Sequence, residues 1–236
     1  HVAFDANVGL FKGETCSMDW RTHTYPNWFI NSVIADSFSS GTNALHKFFY
    51  QFLGTAGRII QKPAEEIAMW EKYSGLLKEN INKHFWDEKQ GCYTCYLYPE
   101  YLGYRPTQRV GVMSNGLAAV LDIATTGQST QMVENFPLYP YGAAVLYPSI
   151  PDDFSYHNKS VWPVWETPYM YAARDVKNTK VVEHMIKSLV RAGALFLTHK
   201  ENMTYDTGYD CGTALNSSRQ LWSVASYISM VYRVLF

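Results

Sequence analysis

The feature that most constrains the fold is a series of helical stretches joined by connections of very unequal length. Apolar residues recur at helical spacing in seven stretches, whereas residues 91–98 have the short pattern of a strand. The predicted helices cover residues 42–60, 63–84, 114–124, 128–135, 160–174, 180–198 and 216–236. Helical hairpins stacked side by side produce such an alternation and present one loop face to a substrate. We therefore expect residues 1–236 to form a single, nearly all-α domain.

The ends of these helices carry their own sequence signals. Ser40 or Thr42 is placed to cap the first helix, and Asn216 or Ser217 is placed to cap the last. Pro63 suits the first turn of the second helix, where its missing N–H has no partner to lose.

The composition narrows the class of partner. A net charge of −1 gives no electrostatic footprint for nucleic acid or for an anionic membrane surface. No run of apolar residues is long enough to cross a bilayer, so membrane insertion is not expected. Aromatic residues make up 16% of the chain against 17% charged residues, which indicates a stacking surface in addition to a core.

Neither a metal nor another cofactor is expected. Cys92 and Cys95 form a CxxC pair, but no second pair and no His cluster stands at zinc spacing. Positions three apart on the predicted strand 91–98 face opposite sides, which argues against a shared metal.

The first candidate site is GETCSMDWRTHTYPNW, residues 13–28. Its residues of interest are Glu14, Asp19, Trp20, Arg21, His23, Tyr25 and Trp28. Rings that stack on a pyranose, charged groups that bind its hydroxyls and a carboxyl that protonates a glycosidic oxygen together make a sugar site. A structural ion pair between Asp19 and Arg21 under an aromatic cluster explains the same residues equally well.

The second candidate site is YHNKSVWPVWE, residues 156–166, which ends a long connection with four prolines at 136–158. His157 and Asn158 can exchange hydrogen bonds with sugar hydroxyls, while Trp162 and Trp165 can stack on the ring. At this spacing both tryptophans could equally be core residues. Connections of such length inside a compact domain are more often functional than decorative.

The third candidate site is TYDTGYDCGTALNSSRQLWS, residues 204–223. Asp206 and Asp210 flank a Thr-Gly turn shortly before the last helix. A carboxylate on such a loop can hold a water molecule for attack. Aspartates are also common in these turns for backbone reasons alone, and that explanation has equal weight.

These motifs, in this order, resemble those of six-hairpin glycosidases with an (α/α)6 toroid. The resemblance rests on DWR after Gly-Glu, SSGTNALHKF, FWDEKQGCY, YHNKSVWPVW and the closing TGY and SSRQLWS, and it spans nearly the whole chain. It is greatest to bacterial glycogen-debranching-like and trehalase-like enzymes.

The resemblance implies hydrolysis of an oligosaccharide with inversion. One carboxylic acid protonates the leaving oxygen, and a second carboxylate, roughly 6.5–9.5 Å away, activates water on the opposite ring face. Asp19 falls at the position of the family's acid. The base belongs in the third cluster, where Tyr209 stands in place of the Glu that follows Thr-Gly in trehalase-like enzymes. Asp210 is the first choice, followed by Asp206 and then Glu166.

The same resemblance implies that the chain supplies about the second half of the toroid. A complete toroid has twelve helices, and the family's acid loop lies near its middle. The chain begins at His1, with neither an initiator Met nor a signal-peptide pattern, so we expect an excerpted or processed piece. Either the first half and any accessory β-domain belong to a portion outside this sequence, or the chain is a shortened relative. A half-toroid exposes a broad apolar edge, and we expect the missing remainder of its own barrel to cover it.

Two other functions stay open. Because Tyr209 stands where trehalase-like enzymes have Glu, the chain could be a catalytically altered, glycan-binding member of the same fold. A sugar isomerase would need a pair of histidines, for which His23 and His157 are the available residues. By resemblance, we expect the protein in the periplasm or outside the cell.

Overall fold

The computed structural model describes residues 3–15, 24–151 and 153–236. Eight α-helices occur in these ranges, and they account for all seven predicted helical stretches. They are α1 (Asn31–Ala35), α2 (Ser40–Ile59), α3 (Ala64–Phe85), α4 (Val112–Val120), α5 (Thr126–Asn135), α6 (Pro163–Asp175), α7 (Thr179–Phe196) and α8 (Leu221–Met230), followed by a π-helical turn at Val231–Leu235. The predicted helical class is confirmed, and only the short α1 was not expected.

The predicted N-caps of the first and last predicted helices are both wrong. The cap of α2 is Ser39, whose hydroxyl accepts a hydrogen bond from the amide N of Thr42 at 3.3 Å. The last helix begins only at Leu221. Asn216 does not cap it, because it lies five residues before the helix, where its side-chain amide donates to the carbonyl O of Asn202 at 2.6 Å.

The helices form two layers. The inner helices α2, α4, α6 and α8 pack against one another in sequence order, and the outer helices α3, α5 and α7 pack against them. Each inner helix is joined to the following outer helix by a short turn, at 60–63, 121–125 and 176–178. The chain returns through long segments at 86–111, 136–162 and 197–220. Because each hairpin reverses direction, these segments and the one before α2 lie at the N-terminal ends of the inner helices, which we call the loop face.

Small residues allow the inner helices to approach closely. A Cβ atom added to Gly116 in α4 would lie only 2.4 Å from the backbone N of Tyr169 in α6, so glycine alone fits this contact. The hydroxyl of Tyr169 donates to the carbonyl O of Val133 in α5 at 2.8 Å. One buried tyrosine therefore links two inner helices to the outer layer.

Short strands hold the loop face together. In the described ranges they are β1 (Phe4–Asp5), β2 (Leu10–Phe11), β3 (Phe38–Ser39), β4 (Trp86–Asp87), β5 (Cys92–Tyr93), β6 (Tyr96–Glu100), β7 (Gly103–Pro106), β8 (Val110–Gly111), β9 (Leu138–Tyr139), β10 (Gly142–Ala143), β11 (Leu146–Tyr147), β12 (Ser160–Val161) and β13 (Met203–Thr204). The predicted strand at 91–98 is thus two strands, β5 and β6. Antiparallel pairs β3–β6, β8–β11 and β12–β13 each join the segment before one inner helix to the segment before the next.

The core lies between the two layers. Leu77 and Ile81 of α3 face inward and are fully buried, while most of the opposite side of that helix is exposed. Within the described ranges, no helix combines the length and the apolar composition that crossing a membrane requires.

Candidate active site

A narrow pocket lies among the first turns of three inner helices. Its lining residues are Thr15, Ser39, Gly41, Cys95, Gly111, Met113, Ser114, Val145 and Trp165. Thr15 is the last described residue before the gap at 16–23, and Trp165 belongs to the second predicted cluster. The pocket therefore brings one end of the first cluster beside the second, as the sugar-site hypothesis requires.

An aromatic cluster stands behind this pocket. We use this name for Tyr156, His157, Trp162, Trp165 and Trp222. The rings of Trp162 and Trp165 stack with centroids 4.4 Å apart and planes 6° apart. His157 packs against Tyr156 at 4.7 Å and lies 5.0 Å from Trp165. Both stacked tryptophans are buried as core residues, and Trp165 also lines the pocket, which has room for about one water molecule.

A carboxylate that the sequence patterns did not single out lies against the aromatic cluster. Glu201 is 6% exposed, and its Oε2 accepts a hydrogen bond from the backbone N of Ser217 at 3.0 Å. Its Oε1 accepts from the side-chain amide of Gln220 at 3.3 Å and from the hydroxyl of Tyr156 at 3.5 Å. Burial of a carboxylate requires such donors, and here they also fix its direction.

The third candidate site, as predicted, begins at Thr204, three residues after Glu201, and therefore does not include it. The residue comes directly before Asn202, Met203 and Thr204, which are all buried. A glutamate that leads into a buried strand is a detectable pattern, because charged side chains are seldom buried without a purpose.

Asp19, Trp20, Arg21 and His23 lie outside the described residues, so their proposed roles stay predictions. The two ends of their segment are held at the loop face. The backbone N of Thr15 donates to the hydroxyl of Tyr25 at 3.0 Å. The carbonyl O of Thr24 accepts from the guanidinium of Arg109 at 2.8 Å.

The other predicted contacts of the first cluster have different environments. Tyr25 is buried among aromatic rings, and this burial raises the pKa of its hydroxyl. Glu14 is half-buried, and its carbonyl O accepts from the hydroxyl of Thr42 at 2.7 Å. Trp28 is 67% exposed and packs edge-on against Phe29. Of the three, Trp28 has the exposed ring face that a sugar could reach.

Asn158 is a structural residue of the long connection. Its Oδ1 accepts from the backbone N of Ile150 at 2.8 Å, and its Nδ2 donates to the carbonyl O of the same residue at 2.9 Å. Both ends of the amide are therefore engaged within the loop. The predicted sugar contact would need one of these hydrogen bonds to be exchanged.

Asp206 and Asp210 lie on a turn that packs against the outer helix α7. The guanidinium of Arg191 in α7 donates to the carbonyl O of Gly208 at 2.8 Å, within this turn. The carboxylate of Asp206 is exposed and accepts from the backbone N of Thr207. Asp210 forms a 2.8 Å ion pair with Lys200, and this hydrogen bond lowers the pKa of its carboxyl. These partners account for both aspartates without the aromatic cluster.

Glu166 is buried between the inner helix α6 and the outer helix α7. Its Oε1 accepts from the backbone N of Ala143 at 2.5 Å, and its Oε2 accepts from the hydroxyl of Ser188 at 3.1 Å. Burial raises the pKa of this carboxyl to about 8, against the opposing effect of the two hydrogen bonds. Among the described residues, those that line the pocket beside Trp165 include neither Glu166 nor Glu201.

The substitution Glu166→Gln is expected to flatten the dependence of stability on pH. The pKa in the folded protein, about 8, lies above the ordinary value of 4.5. The contribution to the free energy of unfolding is thus complete below pH 4.5 and is lost as pH rises toward 8, by up to about 1.4 kcal/mol per unit. Gln keeps the acceptor for Ala143 and carries no charge.

Urea unfolding midpoints at several pH values measure the slope, with exposed Glu65→Gln as control. Equal slopes in wild type and Glu166→Gln would contradict this prediction.

The fold and the site together define a class. The paired layers of hairpins, with the candidate site at the N-terminal ends of the inner helices, form part of an (α/α)6 toroid, the fold of six-hairpin glycosidases. No protein-family model matches the sequence, and no curated protein matches it.

The fold of this chain is similar to that of several solved structures. Neutral trehalase from Saccharomyces cerevisiae superposes with a TM-score of 0.67 and 16% identity, covering 87% of this chain and 40% of its own. A GH63 mannosylglycerate hydrolase from Thermus thermophilus, in complex with glucose, gives a TM-score of 0.65 and 15% identity, covering 83% of this chain and 48% of its own. The chain thus spans less than half the length of these structures. At such identities the likeness establishes the fold, and it confirms the predicted toroid.

Proposed function

We propose that this chain carries catalytic groups of a glycoside hydrolase that cleaves an oligosaccharide with inversion. The observation that supports this most is the buried carboxylate of Glu201, fixed by three donors beside the aromatic cluster. Thr15 and Thr24, the described residues on either side of the segment that carries Asp19, are hydrogen-bonded at the same loop face. The toroid fold is shared with a trehalase and a mannosylglycerate hydrolase, which are both glycoside hydrolases.

The proposed reaction uses two carboxyl groups on opposite sides of the sugar. Asp19 gives its proton to the glycosidic oxygen as the bond to the anomeric carbon breaks. Glu201 takes a proton from the water molecule whose oxygen forms the new bond to that carbon. Inversion requires the two groups to be roughly 6.5–9.5 Å apart.

Glu201 replaces Asp210 and Asp206 as the proposed base. Both aspartates lie on the turn that packs against α7, and Asp210 is already paired with Lys200. Glu201, in contrast, is hydrogen-bonded to a member of the aromatic cluster. A base that must direct one water molecule needs the fixed geometry that Glu201 has.

The proposal is tested by the configuration of the product. The protein is incubated with a panel of α- and β-linked oligosaccharides, and the first-formed anomer is followed by proton NMR. Inversion is the expected outcome, and retention would contradict the two-carboxylate arrangement. Saturable binding of an oligosaccharide without turnover would favour the glycan-binding alternative.

We also propose that the remainder of the toroid covers an apolar stripe on α2. Its members recur at helical spacing and are at least 40% exposed: Leu45, Phe48, Phe49, Phe52, Ile59 and, directly after α2, Ile60. The opposite side of α2 packs into the core through Ala44 and Tyr50. The limited share of the trehalase chain that this chain covers, 40%, supports a ring that further helices complete.

The double substitution Phe48→Lys with Phe52→Lys is expected to reduce binding of a hydrophobic dye to the 236-residue chain, because it breaks up the apolar stripe on α2. Dye fluorescence at constant protein concentration gives the result. Leu102→Lys, on an exposed loop, serves as the control. Equal dye binding by the double variant and the control would show that α2 is not the exposed apolar surface.

A further inference from the structure

Arg109 has a position that the proposed reaction has not yet used. It stands directly before β8, and its carbonyl O accepts a hydrogen bond from the backbone N of Cys95 at 2.8 Å. The residue is only 9% exposed although its side chain is a cation. Burial of such a charge costs free energy unless its donors are satisfied.

The guanidinium joins two segments that are distant in sequence. Its Nη1 donates to the carbonyl O of Thr24 at 2.8 Å, across 85 residues. Its Nε donates to the carbonyl O of Pro148 at 3.2 Å, across 39 residues. Thr24 is the first described residue after the segment that carries Asp19. Pro148 belongs to the segment that leads into the aromatic cluster.

A single side chain therefore connects three of the segments at the loop face: the one before α2, the one before α4 and the one before α6. Arginine suits this task because its planar fork presents several donors in fixed directions. A lysine ammonium at the end of a flexible stem does not reproduce that fork. Burial lowers the pKa of Arg109 from its ordinary value, although arginine stays protonated at neutral pH.

We propose that Arg109 is a positioning residue, which fixes the end of the segment carrying Asp19 relative to the aromatic cluster. This inference rests on the proposed glycosidase function. Arg109 acts through the carbonyl groups of Thr24 and Pro148 and does not itself contact the substrate. Because a displacement of about 1 Å can cost roughly 10²-fold in rate, loosening this connection lowers turnover more than binding.

The test compares Arg109→Lys and Arg109→Ala with wild type. Arg105→Lys is a matched control, since Arg105 is exposed on the same segment and pairs with Glu100. For both Arg109 variants we expect kcat to fall about 10- to 100-fold, with KM nearly constant. Millimolar guanidinium chloride should restore part of kcat in Arg109→Ala, and sodium chloride at equal concentration should not.

Hydrogen exchange measured by mass spectrometry supplies a readout that needs no activity. Peptides covering 24–30 and 145–151 should exchange faster in both Arg109 variants, while peptides from α3 keep wild-type protection. Unchanged exchange in those two regions overturns the inference. Faster exchange everywhere, α3 included, also overturns it, because it shows a general loss of stability. If the wild-type protein hydrolyses no glycoside, the proposed function fails, and the exchange result still decides whether Arg109 connects the segments.

Discussion

Replacing Glu201 by Gln is expected to lower kcat for oligosaccharide hydrolysis by about 10²–10⁴-fold, the contribution of a positioned general base. An amide cannot take a proton from the attacking water. The change also removes one acceptor from the contacts with Ser217, Gln220 and Tyr156, which costs about 1 kcal/mol of stability. Steady-state kinetics and thermal unfolding of the same preparations separate the two effects.

The controls for Glu201→Gln are the aspartates of the neighbouring turn. Asp206→Asn alters an exposed side chain, and Asp210→Asn alters the partly exposed ion pair with Lys200, which is worth about 0–1 kcal/mol. Both variants should turn over substrate at close to the wild-type rate. If Asp210→Asn loses activity while Glu201→Gln keeps it, the base is Asp210, as the sequence first indicated.

The helices could be predicted from sequence because their determinants are local. Apolar periodicity located every helix of five or more turns in the described ranges, with ends shifted by few residues. The predicted start of the last helix was wrong because it depends on contacts that are not local. Asn216 is an ordinary capping residue by type, but it lies in the loop before the helix, where its amide donates to the carbonyl O of Asn202, fourteen positions earlier. Such partners are outside the reach of a local pattern.

The short strands show the same limit. Residues 91–98 have strand character, yet the pattern does not show that β6 pairs with β3, far upstream, and with β7. Strands of two residues have no periodicity that a sequence could reveal. Their pairings nevertheless fix how the segments of the loop face lie beside one another.

The candidate site was located in part. The residues of the second cluster do lie together, since Trp162 and Trp165 stack and Trp165 lines the pocket, while their sugar contacts stay a prediction. The proposed base, Glu201, was not predicted because its partners Tyr156 and Gln220 are 45 and 19 residues away. The Thr-Gly turn was predicted to carry the base instead. Its glycine, Gly208, is explained by the backbone alone, because its φ of +68° favours glycine.

Replacing Asp19 by Asn is expected to lower kcat for a natural oligosaccharide by about 10²–10⁴-fold, because the leaving alkoxide then departs without a proton. The effect depends on the leaving group. A dinitrophenyl glycoside releases a stable phenolate and needs no acid, so Asp19→Asn should hydrolyse it far better, relative to wild type, than it hydrolyses the oligosaccharide. Kinetics on the two substrates give this ratio directly.

Glu201→Gln is the matched comparison for Asp19→Asn, since a base must activate water whichever group departs. Its loss should therefore be similar on both substrates, and the two variants are distinguished by the leaving group alone. Equal losses on both substrates in Asp19→Asn would exclude Asp19 as the acid. A selective loss on the oligosaccharide in Glu201→Gln would exchange the two roles, because protonation of the leaving oxygen is the only step that a good leaving group makes unnecessary.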